Sequence, residues 1–543
     1  MTAAVHGTPQ LRTDLPRPST AVTRLAVRQI RRGALIVLAL CAGMNAFVAA
    51  SFATVAADPA AAAGLRSIAG NAAIRTLFGE PVALDHAGGF TVWRVGTVIA
   101  ILLSVWAILA TTRITRGAEE AHQWDLLLAG RVGLRTVIVR NLAAVAAATT
   151  ATGAAVTTAL LLTASRPAGA FVHGAGIAAI GLFSTATAAL TGQLFASRTA
   201  ATGTAVAVLG TALLLRMVAD GVTGLAWLRW LSPFGLLELS APYGHHRVLP
   251  ILLLLAAGVA FAAGALRLAA RRDAGDGVIN RAARRVRSRG LLGSIEAFAI
   301  RRLLLPLTAW AAGIAAYFLL IGLTAVAVTD FMTHNGSIAG MAGQAGFAGL
   351  DRVEGLTAVV FALLALPVGG FAAVRLAAFV TAESGRRLTL LAAKPVSRVR
   401  LLGAETAVSA AGMAALVTVA ALATWAGVTA SGGELSLTAA LRGTWNTLPV
   451  ALLSLGAAVL ATGCAPHAVA LLGSLPTVGG FLLYTIADSV GAPGWVRDLS
   501  PFAHLAPVPL TPADMPAILV MIALSALLAA AGALTYRRRD LSC

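Results

Sequence analysis

Charge is scarce in this sequence, and lysine is nearly absent. Of 543 residues only 12% are Asp, Glu, Lys or Arg, and Lys394 is the single lysine among 41 basic residues. The three cysteines, Cys41, Cys464 and Cys543, are too few and too widely spaced for a disulfide framework or a metal-binding knuckle. With 58% hydrophobic residues and a mean hydropathy of +0.84, the composition excludes an ordinary soluble domain.

Nucleotide-binding motifs are also missing. A phosphate-binding loop requires the pattern GxxxxGK[ST], and Lys394 lies in AAKPVS without those glycines. The sequence contains no LSGGQ-like segment either. We therefore expect no cofactor, no metal and no enzymatic activity on this chain itself.

What the sequence does contain is long apolar segments, which predict an all-α polytopic membrane protein. Twelve windows are long enough to cross a bilayer. They lie near residues 34–55, 91–112, 141–163, 174–195, 202–219, 249–270, 303–328, 356–381, 406–427, 447–465, 468–486 and 516–535. The first window is too long for the core of a cleavable signal peptide, so it is interpreted as the first transmembrane helix.

The net charge of +19 would suggest nucleic-acid binding in a soluble chain, but here it follows the predicted topology. With the N-terminus inside, the predicted cytoplasmic segments carry +19 and the external loops −4. Positive charge gathers on the cytoplasmic side of membrane proteins. The sequence thus predicts a plasma-membrane protein with both termini in the cytoplasm, surrounded by lipid and without a nucleic-acid partner.

No Asp or Glu falls inside the twelve windows, and the arginines within them lie towards window ends. These arginines are Arg94, Arg216, Arg267 and Arg375. We expect them to snorkel to the interface. Carriers driven by protons or sodium usually place carboxylates at membrane depth, so these windows argue against ion coupling.

The sequence repeats itself. Residues 227–234 (WLRWLSPF) match residues 495–502 (WVRDLSPF) at six of eight positions, at an offset of 268. Residues 120–135 match 383–398 in the same order along the chain. An even number of helices per repeat gives both repeats the same orientation in the membrane. The predicted organisation is a cytoplasmic tail (1–33), a first six-helix half (34–270), a basic linker (271–302), a second half (303–535) and a short tail (536–543).

The segment between the second and third spans of each half combines a Glu, a Leu-Leu pair and basic residues. In the first half these are Glu120, Leu127, Leu128, Arg131 and Arg135; in the second they are Glu383, Leu390, Leu391, Lys394, Pro395 and Arg398. A short amphipathic helix of this kind suits insertion into a groove on a soluble partner. The same pattern is equally typical of a helix on the membrane surface, whose arginines bind lipid phosphate.

The second of these segments, TAESGRRLTLLAAKPVSRVRLLGAE, resembles the coupling loop of ABC-2 type exporter permeases. In that family the loop docks onto a separate nucleotide-binding subunit. The first half departs from the family pattern, since Val132 and Gly133 stand where the second half has Pro395 and Val396. The resemblance implies two parallel six-helix ABC-2 repeats, driven by a homodimer of a separate ATPase that binds ATP and Mg²⁺.

The resemblance covers the whole chain and implies further features. The amphipathic helices before the first span of each half correspond to residues 23–32 and 295–302. The external re-entrant regions correspond to Ser232, Pro233 and Phe234, and to Ser500, Pro501 and Phe502. The substrate cavity would be lined from the second and fifth helices, with Trp106, Met217, Phe361 and Phe481 as candidates. The fused layout is most similar to actinobacterial efflux permeases for hydrophobic antibiotics of the tetronasin type.

Two alternatives remain open at this point. A major-facilitator drug carrier also has twelve spans in two parallel halves, and residues 130–135 (GRVGLR) partly resemble its motif but lack the required Asp. A membrane-bound enzyme would need clustered polar residues at an interface, and Glu238 with His245 and His246 is the cluster that the sequence offers.

Overall fold

A computed structural model describes residues 18–56, 75–76, 78–130, 132–163, 165–273, 275–279, 293–334, 349–385, 397–489 and 492–539. Within these residues the regular structure is helical, without strands. Twelve helices are long and apolar enough to cross a membrane. The predicted all-α polytopic fold with twelve spans is confirmed.

The chain divides into two compact units, Met1–Gly70 with Ile74–Arg285 and Asn71–Ala73 with Val286–Cys543. The first unit holds six membrane-length helices: α1 (Pro18–Ala56), α2 (Ala87–Thr112), α3 (Leu134–Leu162), α4 (Pro167–Leu194), α5 (Arg198–Gly221) and α6 (Leu249–Ala269). The second holds six more: α7 (Ile295–His334), α8 (Val353–Ser384), α9 (Arg398–Ala430), α10 (Leu437–Cys464, broken at Thr447), α11 (Pro466–Thr485) and α12 (Met515–Arg538).

Several helices begin at residues that satisfy the free backbone N–H groups of the first turn. The Ser197 hydroxyl accepts from Ala200 N at the start of α5, and the Ser397 hydroxyl accepts from Arg400 N at the start of α9. Pro167 opens α4, where its missing N–H costs no hydrogen bond. These residues fix where the spans begin.

Small residues let neighbouring helices approach closely within each unit. A Cβ on Gly153 of α3 would lie 2.4 Å from the Gly174 carbonyl oxygen of α4. A Cβ on Gly427 of α9 would lie 2.5 Å from the Leu319 carbonyl oxygen of α7. Helices in lipid associate largely through such close packing, because lipid tails are as apolar as the side chains themselves.

The helices α1 and α7 are longer than the apolar windows. The amphipathic residues 23–32 continue into the first span within one helix of 39 residues, and residues 295–302 do the same within a helix of 40 residues. At 1.5 Å per residue each helix is about 60 Å long, against about 30 Å for the hydrocarbon core. A large part of each helix therefore projects beyond the membrane.

The expectation that Arg216 and Arg375 snorkel was wrong. The two side chains are 1% and 6% exposed and lie in ion pairs with Asp220 and Glu405. Both carboxylates stand one residue outside the predicted windows, whereas α5 and α9 continue past them. The windows end at charged residues because a charge lowers the hydropathy average, although each of these charges is paired inside the protein.

Candidate functional site

The loop between α2 and α3 presents one fully exposed leucine. After a π-helical turn (Arg113–Gly117) and Ala118–Glu120, the chain forms a short helix, Asp125–Leu128. Leu127 and Leu128 are half-buried against a cluster that includes the buried Trp124. Leu126 is 87% exposed. The exposed leucine of this short helix is therefore Leu126, one residue before the pair for which the sequence predicts docking.

A buried network of charges holds the end of α2. Glu119 accepts from Arg116 Nη1 at 2.9 Å and from Arg272 Nη1 at 2.6 Å, and these three side chains are 4% exposed or less. Gly275 N donates to the same carboxylate at 2.8 Å, and Arg116 Nε donates to the Ala196 carbonyl at 2.8 Å. The end of α2 is thereby fastened to the residues that follow α6 and to the α4–α5 connection.

The predicted Glu120 lies beside this network. Its Oε2 accepts from Arg198 N, at the first residue of α5, at 2.9 Å. Arg135 is exposed in the first turn of α3, and Arg131 lies outside the described residues. Within the first loop, Glu120 thus contacts α5, and Arg135 faces away from the protein.

The second half shows an equivalent contact. Arg539 Nη2 lies 3.2 Å from Glu383 Oε1, and Arg539 Nη1 donates to the Thr462 carbonyl at 2.7 Å. Arg398 Nη1 donates to the Arg539 carbonyl at 2.6 Å. Leu390, Leu391, Lys394 and Pro395 lie outside the described residues. Arg272 and Arg539, which follow matching Gly-Ala-Leu segments in α6 and α12, thus both pair with a glutamate at the end of their unit's second helix.

The predicted re-entrant segments are built alike in both units. The Ser232 hydroxyl donates to the Ala212 carbonyl of α5, and the Ser500 hydroxyl donates to the Gly480 carbonyl of α11. Both donors and both acceptors are separated by the repeat offset of 268. Each serine also caps the short helix that begins at Pro233 or Pro501. The side chains of Phe234 and Phe502 are buried.

The four candidate cavity residues pack within their own units. Trp106 is half-buried, and its indole Nε1 would lie 2.8 Å from a Cβ on Gly33 of α1. Met217 is buried, and Phe361 is buried with its ring stacked 6.3 Å from that of Phe318. Phe481 packs edge-on against Phe502 at 5.6 Å. Each side chain has an internal packing role.

Sequence reasoning missed Glu119, Arg272 and Arg539 as site residues. The pairing of Arg272-Asp273 with Arg539-Asp540 in the repeat was a usable signal, because it marked equivalent arginines after the last helix of each half. Of their glutamate partners, Glu383 was among the predicted residues, whereas Glu119 was not, since two adjacent glutamates follow α2 and only the side-chain direction distinguishes Glu119 from Glu120.

Comparison with known proteins gives one consistent result. Residues 292–537 match the family described as the C-terminal domain of multidrug efflux system permease Rv1217c. Over 517 residues, the chain is 31% identical to the multidrug efflux system permease protein Rv1217c of Mycobacterium tuberculosis (strain ATCC 25618 / H37Rv), covering 94% of this chain and 92% of that protein. The twelve apolar helices agree with a multi-pass membrane protein of this kind. The chain therefore belongs to the multidrug efflux permease family that includes this mycobacterial protein.

Proposed function

We propose that this chain is the transmembrane subunit of an ATP-driven exporter for hydrophobic drugs, with ATP and Mg²⁺ bound by a separate ATPase dimer. The α2–α3 and α8–α9 loops are the proposed docking sites, on the cytoplasmic side. The observation that carries this proposal is the arginine–glutamate contact in both units, Arg272–Glu119 and Arg539–Glu383. It connects each loop to the last helix of its own unit.

Through these contacts, a movement of each loop would also move the helices of its own unit. A force on the first loop reaches α6 through the buried carboxylate of Glu119 and reaches α5 through Glu120. Buried, hydrogen-bonded ion pairs keep one geometry, because breaking them leaves an uncompensated charge. Docking and closure of an ATPase dimer would therefore move whole helices instead of bending a loose loop.

The proposed substrates are hydrophobic antibiotics, with the polyketide ionophores of the tetronasin type as the first class to test. The buried apolar side chains of both units are mainly those of Ala, Val, Leu, Ile and Phe, and the buried Arg216 and Arg375 are ion-paired with Asp220 and Glu405. A pathway with apolar walls favours apolar cargo. The "multidrug" description of the mycobacterial relative supports a broad preference.

The test is coexpression with a candidate ATPase subunit, followed by purification of the complex and transport into inside-out proteoliposomes. We expect stable association and accumulation of drug that requires ATP. Transport that continues without ATP and follows an imposed ion gradient would contradict the proposal and would favour a major-facilitator type of carrier.

Two matched variants test whether the α2–α3 loop binds the ATPase. Leu126→Glu places a charge on the exposed leucine of the α2–α3 loop and should abolish copurification of the ATPase. Leu162→Glu makes the same change at an 83% exposed leucine at the opposite end of α3 and should leave association intact. If both variants bind the ATPase equally well, this loop is not a docking site.

A further inference from the structure

The first unit contains a small cavity of about 50 Å³ between α2, α4 and the short helix Pro233–Leu239. Its lining includes Glu80, Trp93, His173, Phe234, Glu238 and Tyr243. This volume holds a few water molecules and is far below the volume that a drug-sized ligand requires. The cavity therefore suits water and the smallest ions.

Five charged side chains form a connected cluster beside this cavity. Arg216 Nε donates to Asp220 Oδ2 at 2.6 Å, and Arg229 Nε donates to Asp220 Oδ1 at 2.7 Å. Arg229 Nη1 donates to Glu80 Oε2 at 2.5 Å, and Glu238 Oε2 lies 3.3 Å from Arg216 Nε. Two guanidinium groups face three carboxylates, so the cluster carries one excess negative charge when all five are ionised.

Among these carboxylates, Glu238 has a buried oxygen that receives no hydrogen bond in the described part of the chain. Its Oε1 accepts from the backbone N–H of Glu80 at 2.5 Å. Its Oε2 is buried and has no hydrogen-bond donor among the described residues. The nearest cationic nitrogen, Arg216 Nε, carries a single hydrogen that it already gives to Asp220. A buried acceptor without a donor is costly, and an added proton removes the cost.

His173 is a second buried polar side chain beside this cavity. This side chain of α4 lines the cavity and is fully buried, yet neither ring nitrogen has a hydrogen-bond partner in the described part of the chain. Buried polar groups are almost always satisfied, commonly by ordered water. Water in the cavity would satisfy His173 and provide a route for a proton to Glu238.

We infer that Glu238 is a proton-binding site served by this cavity, its Oε2 taking up one proton that comes from a hydronium ion of the solvent and is relayed by cavity water, which forms a neutral carboxylic acid and leaves the water neutral. The net charge of the cluster then changes from −1 to zero, and the new O–H group can donate a hydrogen bond. The titratable and charged groups that face Glu238 from the surrounding elements are Glu80, Asp220, Arg216, Arg229, His173 and Tyr243.

The electrostatics agree with the geometry. Burial, and next the neighbouring Asp220 carboxylate, raise the pKa of Glu238 to about 7, although Arg216 and Arg229 oppose the shift. The site would therefore exchange its proton near neutral pH, where an ordinary glutamate stays ionised.

Infrared difference spectroscopy on the full chain in lipid nanodiscs tests this inference without any ATPase. On going from pH 8 to pH 6, the wild type should gain the C=O stretch of a protonated carboxylic acid, with a midpoint near 7. Glu238→Gln, which imitates the neutral acid in size and should fold, should lack this band. Glu354→Gln, at the start of α8 in the other unit, is the matched control and should keep it.

The imidazole of His173 is the competing group, because an ordinary histidine titrates near 6.5. His173→Gln should keep the carboxylic-acid band, and potentiometric titration should show one proton fewer bound by Glu238→Gln than by the wild type between pH 8 and pH 6. A band that survives in Glu238→Gln, or a proton count that falls only in His173→Gln, would overturn the assignment. None of these readouts depends on the proposed export function.

Discussion

At the scale of single residues, the features that matter most are carboxylates enclosed by arginines. Glu119, Asp220 and Glu405 are each buried, and each contacts two guanidinium groups. Arginine suits this role because its planar fork gives several hydrogen bonds at once and it remains charged when buried. Removing such a carboxylate therefore leaves two guanidinium groups without their counter-charge.

Glu119→Gln should destabilise the first unit by about 3–5 kcal/mol, because Arg116 and Arg272 would then be buried without a counter-charge. Thermal unfolding in detergent measures the change. Glu120→Gln, whose carboxylate accepts from the backbone of Arg198, is the control and should cost less. Equal losses of stability in the two variants would show that the buried ion pairs of Glu119 contribute no more than the single hydrogen bond of Glu120.

Glu238 gives a pH prediction with a definite sign. Its pKa is raised from 4.5 to about 7 in the folded chain, so between these values the folded state holds a proton that the unfolded state has released. Stability must therefore fall as pH rises from about 4.5 to 7. Unfolding temperatures of the wild type should decline across this range more steeply than those of Glu238→Gln. Parallel curves for the two proteins would contradict the shift.

At the scale of helices, close packing decides which glycines can be replaced. Gly427 of α9 lies against the α7 backbone, whereas a Cβ on Gly403 of the same helix would meet nothing within 4 Å. The two positions share a helix but differ in their surroundings. Substitutions at these two glycines can therefore separate the effect of helix packing on stability from the effect of helix propensity.

Gly427→Ala should destabilise the second unit, because the new methyl group forces α7 and α9 apart. Gly403→Ala should be neutral or stabilising by up to about 1 kcal/mol, the usual helix advantage of Ala over Gly. Thermal unfolding of both variants under identical conditions provides the comparison. Tolerance of Ala at Gly427 would mean that the helices are less tightly packed than described.

The serine caps at Ser232 and Ser500, in the two segments predicted to be re-entrant, give an element-scale prediction as well. Ser232→Ala and Ser500→Ala each remove a helix cap and the side-chain hydrogen bond to a buried carbonyl oxygen, that of Ala212 or Gly480. We expect each to cost about 1–3 kcal/mol. Ser474→Ala, at a half-buried serine whose hydroxyl bonds to the Leu471 carbonyl of the same helix, should cost almost nothing. A neutral result at Ser232 and Ser500 would argue against a structural role for the repeated motif.

At the scale of the whole molecule, the sequence predicted the number and order of the helices well, because long apolar windows carry that information directly. It misplaced their ends. Asp220 and Glu405 ended the predicted windows, yet α5 and α9 continue past them through paired charges. The sequence also did not show which leucine of the α2–α3 loop is exposed, since periodicity on so short a helix does not fix which side chain faces outward; Leu126 is exposed, whereas the predicted Leu127 and Leu128 are half-buried.

The predicted membrane topology can be tested by labelling a native cysteine. Cys464 is exposed at the end of α10, on the predicted cytoplasmic side. A membrane-impermeant maleimide should therefore leave intact spheroplasts of the wild type unlabelled and react after permeabilisation. Glu434→Cys, in the exposed α9–α10 loop, should react in intact spheroplasts. Labelling in the opposite order would reverse the topology.

The lengths of α1 and α7 have a mechanical consequence. A straight rod of about 60 Å that pivots in the bilayer moves its free end by several ångströms for a tilt of a few degrees. Pro306 interrupts the hydrogen-bond ladder of α7 just beyond its amphipathic start, whereas α1 contains no proline after its first residue. We therefore expect α7 to bend at Pro306 more easily than α1 bends along its length, so that the same force at the membrane surface would displace the two helices unequally.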